Sequence, residues 1–392
     1  MGRYERVAVL DVRSCDVTFL IGAKGVNDTF AFCGSKSEKY DGFSTQGFFE
    51  EDDFRRAVVS VVSSVMKNYE GKLDKVFVGV PAPFVSIKTK GHTVAFPKKR
   101  KIGASDIDAL YESGLSDLMC SGRCIKRSAM YFALGDNRKY FETDKLYHTP
   151  TSTLKGALCY YFVSDEFYSL VSDVLKKLGF STVSLLPVSL AESVYLLPQK
   201  AREGYAFLLD IGFTVSTVSV VYGNGIVHEQ SFDAGVASIL VSLMENLGVE
   251  YEKAEEILAS ANIAGGRVPS DLMWTDDNGA SYSVARINDV IKYGLDQLCE
   301  SVHEFFDLHY KDKTVSGFMV NPLSLTGEGV SAIAGVAEHV SKRLSRITEI
   351  VAPDLPYYDK TECSSKISLL AAAIEESPKT NIFTRLFKGA RK

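Results

Sequence analysis

The feature that most constrains the fold is a pattern that occurs twice along the chain. The apolar segment RVAVLDV (6–12) ends near an aspartate, and a short turn, a second apolar segment, a helical pattern and a third apolar segment follow it. The segment YAFLLDIG (205–212) opens a similar series. Strands and helices in this order indicate an α/β fold, and the repetition indicates a duplicated domain. A chain of 392 residues also exceeds what one hydrophobic core usually supports.

Charge and cysteine usage exclude several classes of protein. The net charge of −5 argues against nucleic acid as the main partner. The cysteines are scattered, and the closest pair, Cys120 and Cys124, lacks the second pair or the histidines of a zinc site. These features predict a protein of the reducing cytoplasm. No window approaches twenty consecutive apolar residues, so no membrane span is expected.

A basic run, KKRK (98–101), precedes a helical pattern in an otherwise less regular region. Such a run could contact nucleic acid, but the acidic balance of the chain favours a solvated hairpin turn. We expect the helix that follows to be capped at its N-terminus by Ser105 and Asp106.

Three turns that follow predicted strands carry the residue types of a phosphate-binding site. They are Asp11–Ser14, Asp210–Gly212 and Leu325–Gly329, the last directly before a helical pattern. Glycine turns let backbone N–H groups approach phosphate oxygens, and a helix N-terminus adds a favourable dipole. Aspartates at strand ends can hold hydrated Mg²⁺. Together the three turns predict a nucleotide cleft between two related halves.

These segments resemble the actin/Hsp70-type ATPase superfamily and, within it, the bacterial cell-division protein FtsA. The two phosphate motifs and the adenosine motif of the family correspond to DVRSCD (11–16), DIGFTVST (210–217) and LTGEGVSAIAG (325–335). The resemblance implies an α/β, actin-like duplicated (ribonuclease-H-like) fold that binds ATP with Mg²⁺. The implied nucleotide-binding residues, of which Asp11 and Asp210 would also hold the metal, are Asp11, Ser14, Asp210, Gly212, Glu255, Gly327 and Gly329.

The resemblance also implies a domain order. Residues 82–160 resemble the FtsA-type inserted subdomain 1C, and 377–392 would form a linker and a membrane-targeting amphipathic helix. The remaining assignments are subdomain 1A in 1–81 and 161–205, a second lobe in 206–352 with its 2B part around 228–283, and a return to the first lobe or a linker in 353–376.

Several positions depart from the family pattern. The phosphate-contacting lysine is replaced by Asp16, and glycines are replaced by Arg13, Phe213, Thr214 and Glu328. An aspartate in place of a lysine repels phosphate instead of attracting it. We therefore expect a retained fold with an eroded phosphate cradle and weak or absent ATP hydrolysis. Glu192 offers a carboxylate for catalysis, but a surface position on a helix is the simpler expectation.

The segment IFTRLFKGARK (382–392) combines an apolar stripe with a one-sided charge. The basic residues of 379–392, with no acid among them, are Lys379, Arg385, Lys388, Arg391 and Lys392. This composition predicts a helix that lies in the membrane interface and prefers anionic lipid. A helix docked on its own domain and a solvated tail are the alternatives. The predicted membrane-contacting residues are Ile382, Phe383, Arg385, Leu386, Phe387, Lys388 and Arg391.

The resemblance, together with this tail, implies an FtsA-like adaptor that polymerises and anchors FtsZ filaments to the inner face of the cell membrane. The expected partners are the FtsZ C-terminal peptide, further copies of the chain, anionic membrane and other division proteins, with no nucleic acid. By the resemblance, the FtsZ peptide would dock around 228–283, where Trp274 is either a contact or a packing residue. A PilM-like adaptor of pilus assembly and an active actin-like ATPase are the alternatives.

Overall fold

The computed structural model describes residues 6–25, 29–118, 122–147, 149–265, 268–310 and 321–377. The first half of the chain contains, in order, β1 (Val7–Val12), β2 (Asp16–Lys24), β3 (Phe30–Lys39), β4 (Phe43–Ser44), β5 (Gly47–Phe48), α1 (Glu51–Lys67), β6 (Lys75–Val80), β7 (Val85–Lys101), α2 (Ala104–Ser116), β8 (Arg123–Ala133), β9 (Lys139–Tyr140), β10 (Pro150–Val163), α3 (Asp165–Lys177), β11 (Thr182–Pro187), α4 (Val188–Leu196) and α5 (Gln199–Arg202).

The second half contains β12 (Tyr205–Ile211), β13 (Ser216–Tyr222), β14 (Gly225–Phe232), α6 (Val236–Leu247), α7 (Tyr251–Ser260), β15 (Met273–Thr275), β16 (Ser281–Ser283), α8 (Val284–Tyr310), β17 (Leu323–Thr326), α9 (Glu328–Ala332), α10 (Val336–Leu344), β18 (Thr348–Ile350) and α11 (Ser364–Glu376). No helix within the described ranges is both long and apolar enough to cross a membrane.

Each half is built on a five-stranded sheet with the same topology. The first sheet has the order β11-β6-β1-β2-β3 and the second has β18-β17-β12-β13-β14. In both, the first three strands along the chain pair antiparallel, and the fourth and fifth add parallel on the other side of the first. The predicted duplicated α/β fold is therefore confirmed, because two halves share one unusual strand order.

The first sheet is buried on both faces. Side chains alternate along β1, so that Ala8 and Leu10 pack with the α1 and α3 side, whereas Val7 and Val9 pack with α4 and α11. Helix α11 therefore contacts this sheet although its sequence follows the whole second half. The second sheet shares one large apolar core with α6, α7, α8 and α10.

A third sheet, β7-β10-β8-β9, is inserted between β6 and α3 and has its own core with α2. The expectation of a hairpin turn at KKRK is wrong, because the run forms the exposed end of the long strand β7, paired with β10. Gly103 rather than Ser105 caps α2, and the Asp106 carboxylate accepts the Gly103 N–H at 2.9 Å. Arg100 donates to the same carboxylate at 3.0 Å.

The helical pattern that follows Gly329 is interrupted in the structure. Gly335 lies between α9 and α10 with φ of +92°, and a Cβ there would lie 2.2 Å from the Ala264 backbone nitrogen. The chain turns at this glycine because a side chain would collide with the neighbouring backbone. The break leaves a separate short helix, α9, and its first residue, Glu328, pairs with Arg13 of the first half.

Candidate functional site

A cleft lies where the β1–β2 turn, the β12–β13 turn and the start of α9 meet. Its lining includes four of the residues expected to bind nucleotide, namely Ser14, Asp210, Gly212 and Gly327. Asp11 is buried at the end of β1 next to this lining. Gly329 packs against Ile211 below the surface, and Glu255 lies on α7 outside the lining. The turns predicted to form one site are therefore neighbours in space.

The glycine at the third turn is required by a close approach. Gly327 has φ of +96°, and a Cβ at this position would lie 2.0 Å from Asp210 Oδ1. A side chain is excluded both by the backbone conformation and by the carboxylate. The Asp210 carboxyl group therefore lies directly against the turn that leads into α9.

The two strand turns are bonded to each other across the cleft. The Thr214 N–H donates to Ser14 Oγ at 3.1 Å, and Thr214 Oγ1 donates to the Phe43 carbonyl at 2.7 Å. The neighbouring Val215 is 8% exposed and belongs to the hydrophobic core of the first half. Thr214, which replaces a glycine in the second phosphate turn, thus connects the halves instead of leaving room for phosphate.

The N-terminus of α6 is also occupied by this turn. Val236 and Ala237 donate their N–H groups to the carbonyls of Gly212 at 3.2 Å and Phe213 at 2.8 Å. Free N–H groups at a helix N-terminus are common donors to phosphate. Here the first two donors of the helix are already satisfied by the chain itself.

Arg13 occupies the mouth of the cleft as part of an ion-pair cluster. Its guanidinium lies 2.7 Å from Asp16 Oδ1 and 3.6 Å from Glu328 Oε2, so it joins the first half to α9 of the second. The Cys15 thiol donates to the Glu328 carboxylate at 3.7 Å. Among the described residues that line the cleft, Arg13 is the only lysine or arginine, and both of its carboxylate partners belong to the protein.

Three carboxyl groups lie close to this cluster, and two of them, Asp11 and Glu192, are buried. The Ser365 hydroxyl donates to Asp11 Oδ1 at 2.6 Å, and burial raises the pKa of Asp11 to about 6. Burial also raises the pKa of Asp210. For Glu192, burial and then the nearby charges of Asp210 and Asp11 raise the pKa well above its ordinary value. As the pH rises, each of these groups therefore releases its proton at a higher pH than a free carboxyl group would.

The expected surface position of Glu192 is wrong. The residue is 2% exposed and lines the cleft. Its helix, α4, packs its apolar side chains against both the first sheet and α11. The apolar character of VSLAESVYL around this single carboxyl group was a signal that the helix is buried.

Glu255, one of the residues expected to bind nucleotide, is engaged within the protein. The Tyr251 hydroxyl donates to Glu255 Oε1 at 2.9 Å. Burial, followed by this hydrogen bond, raises the pKa of Tyr251 to about 12.

In this arrangement the residues present do not fit a nucleoside triphosphate with Mg²⁺. The cleft holds a cavity of about 70 Å³, whereas ligand pockets commonly measure roughly 300–1,000 Å³. Cys15, Asp16 and Glu328 place possible metal ligands within 4.8 Å of one another. The Arg13 guanidinium already pairs with two of the three, and its charge opposes a cation there.

Several cleft residues had no signal in the sequence. Thr361, Glu362 and Ser365 reach the cleft from the segment that leads into α11, more than 340 residues after β1. Their position depends on long-range packing, so no local motif marks them. The predicted membrane-contacting residues, Ile382 to Arg391, lie outside the described residues.

No protein-family model and no curated protein matches the sequence. Solved structures do. One from the PilM–PilN type IV pilus biogenesis complex is 12% identical over 95% of this chain and 99% of that chain, with a TM-score of 0.60. MreB5 of Spiroplasma citri bound to ADP is 11% identical over 95% and 100%, with a TM-score of 0.56.

The ethanolamine utilization protein EutJ from Carboxydothermus hydrogenoformans is 11% identical over 94% of this chain and 90% of that chain, with a TM-score of 0.52. At these identities the similarities show the fold alone, which is the actin-like duplicated α/β fold. The resemblance to FtsA within that fold stays a prediction.

Proposed function

We propose that this chain is a binding protein of the actin-like fold, an FtsA-like adaptor that tethers FtsZ filaments to the inner face of the cell membrane. The observation that carries the proposal is the segment 379–392, which combines four large apolar residues with five basic ones and no acid. In a chain of net charge −5, so one-sided a segment suits an anionic lipid surface.

The cleft supports a binding role over catalysis. Its cation is paired, its turns are bonded to each other, and its deepest carboxyl groups have raised pKa values. MreB5 of Spiroplasma citri was solved with ADP and with AMPPNP. In this chain, ATP with Mg²⁺ would require the halves to separate, and we propose that tethering does not depend on it.

Self-association would strengthen attachment, because one short amphipathic helix binds membrane only modestly and several linked copies bind together. The second sheet ends in the short strand β18, whose flanking Ile347 and terminal Ile350 are exposed. An open strand edge with exposed apolar side chains is a surface on which further copies can pair.

The FtsZ peptide is proposed to bind the region 228–283. Trp274 in this region packs against the second-half core, and the Lys253 ammonium lies 5.8 Å from its ring centroid. Asp276 is bonded to Lys253 at 3.2 Å. These contacts favour packing roles for both residues and leave the exposed acids Asp271 and Asp277 for a basic peptide.

Co-sedimentation with vesicles tests the tether. The full-length chain, a variant ending at Ser377 and the double variant Phe383→Ser/Phe387→Ser are mixed with vesicles of zero, low and high anionic lipid content. We expect only the full-length chain to pellet, and to pellet more as the anionic fraction rises. The double variant keeps every basic residue. If it does not pellet with vesicles, charge attraction alone is insufficient and insertion of the apolar residues is required. Equal pelleting of all three proteins would contradict the tether.

A PilM-like adaptor is the second candidate, and one observation favours it. The described residues form an apolar groove of about 560 Å³ between α4, α11 and β8, a size suited to a peptide. Binding of a partner peptide there, together with no vesicle binding, would favour this candidate.

A further inference from the structure

The groove between α4, α11 and β8 is lined by different residues from those of the cleft. Its floor is apolar and formed by Leu186, Leu190, Ala191, Val194, Ala371 and Ala372. Val194 is 37% exposed although it belongs to a helix that is otherwise largely buried. The groove therefore exposes Val194 to solvent beside the C-terminal part of α11.

The groove also contains an unsatisfied polar group. Ser368 lines it and is fully buried, yet its hydroxyl has no hydrogen-bond partner among the described residues. A buried hydroxyl without a partner costs stability.

One end of the groove is acidic. Glu375 and Glu376 line it in the last turn of α11, and Lys126 of β8 pairs with Glu376. Glu375 forms no ion pair within the described ranges. Carboxylates at a helix C-terminus are unfavourable because the helix dipole is negative there. A cation at this end of the groove would offset the charge of Glu375 and the negative end of the helix dipole.

We propose that the groove binds the segment 382–388 of the same chain when no membrane is present. The segment would lie along α11 as the second arm of a helical hairpin. Its apolar residues Ile382, Phe383, Leu386 and Phe387 would face the groove, and Lys379, in the connection that follows α11, would lie near Glu375 and Glu376. This is the mode in which an amphipathic helix binds a hydrophobic groove.

The connection has the length that such a hairpin needs. Helix α11 ends at Glu376, and the five residues 377–381 separate it from Ile382. Antiparallel helices are commonly joined by two to five residues, and Pro378 stands where prolines often follow a helix end. From Ser368 to Glu375 the groove follows about 10 Å of α11, and the stripe from Ile382 to Phe387 spans about 8 Å of helix.

Docking would compete with membrane binding because one apolar stripe cannot face the groove and the lipid at once. The docked state would hide the apolar residues in the free protein, and an anionic membrane would release them. The adaptor would thus expose its anchor at the membrane. This inference concerns the lipid-free protein, so it stands or falls separately from the proposed tether.

Photo-crosslinking of the full-length protein tests the docking. A benzophenone amino acid replaces Phe387, and after irradiation without lipid the crosslinked peptides are identified by mass spectrometry. We expect intramolecular crosslinks to α4 or α11, and their loss when highly anionic vesicles are added. The variant Val194→Asp places a charge in the groove and should abolish the crosslinks. Val241→Asp, an exposed valine on α6, is the matched control and should keep them.

Three results would overturn the docking. The first is crosslinks to α4 or α11 that form only between separate copies, and the second is the absence of such crosslinks in the lipid-free protein. The third is crosslinks unchanged by Val194→Asp, because the contact would then lie elsewhere. If crosslinks form but vesicles bind neither form of the protein, the docking stands and the tether fails.

Discussion

Replacing Asp11 by asparagine tests the charge balance beneath the cleft. The Asp11 carboxyl group is buried at the end of β1 and accepts a hydrogen bond from Ser365 at 2.6 Å. An asparagine amide has nearly the same shape and keeps an oxygen that accepts this bond. The substitution therefore removes the ionisation and little else.

The pKa gives the size of the effect. Burial raises the pKa of Asp11 from 3.8 to about 6 in the folded protein. A difference of about two pKa units corresponds to about 3 kcal/mol of unfolding free energy. Below about pH 4 both states hold the proton and the group has no net effect. Between about pH 4 and 6 the unfolded chain releases the proton first, so the free energy of unfolding falls as the pH rises.

Asparagine cannot ionise, so the variant avoids this loss. We expect Asp11→Asn to match the native protein near pH 4 and to unfold with up to about 3 kcal/mol more free energy at pH 8. Three kcal/mol is an upper value, since the charges of Asp11 and Asp210 also raise the pKa of the nearby Glu192.

Urea denaturation at pH 4.5 and pH 8, followed by circular dichroism, measures the difference. Asp359→Asn, an exposed carboxyl group in an irregular segment, is the matched control and should change little at either pH. A destabilised Asp11→Asn at pH 8 would refute the reasoning. It would mean that the folded protein needs the carboxylate charge.

Three further substitutions test the contacts that close the cleft. Gly327→Ala should destabilise the fold by roughly 2 kcal/mol more than Gly179→Ala in urea unfolding, because both glycines have positive φ but only the first lacks space for a Cβ; equal losses would contradict the close approach. Arg13→Met should lower the free energy of unfolding by roughly 1–3 kcal/mol, which is less than breaking a fully buried ion pair would cost. Arg55→Met, at an exposed ion pair on α1, should lower it by under about 1 kcal/mol. Thr214→Val should cost about 1 kcal/mol, because it leaves a carbonyl acceptor unpaired across the cleft; no change in the unfolding midpoint would show that the bond is dispensable.

The sequence predicts the elements whose signals are local. Helices α6 (Val236–Leu247) and α8 (Val284–Tyr310) are elements of this kind, because their apolar residues recur at helical spacing. The duplication is also visible, since each strand–turn–strand unit carries its own aspartate. A glycine such as Gly335 interrupts a helix without a change of periodicity, so the break between α9 and α10 is missed.

The environment of the polar side chains is not local and is harder to predict. The sequence marks Arg13 and Glu328 as departures from a phosphate motif, but only the fold shows that they lie within 3.6 Å of each other. Glu192 was expected at the surface because a carboxyl group on a helix is usually solvated. Its burial depends on α11, which returns to the first sheet after the whole second half.

The measurement that tests the account most directly is a calorimetric titration of the full-length protein with MgATP, with MgADP as a second ligand. Arg13, Thr214 and Val215 close the cleft with the protein's own groups. We therefore expect no saturable binding of either nucleotide up to millimolar concentration, about the range that corresponds to −4 kcal/mol of binding free energy. Saturable binding at micromolar concentration, lost when Asp210 is replaced by asparagine, would contradict it.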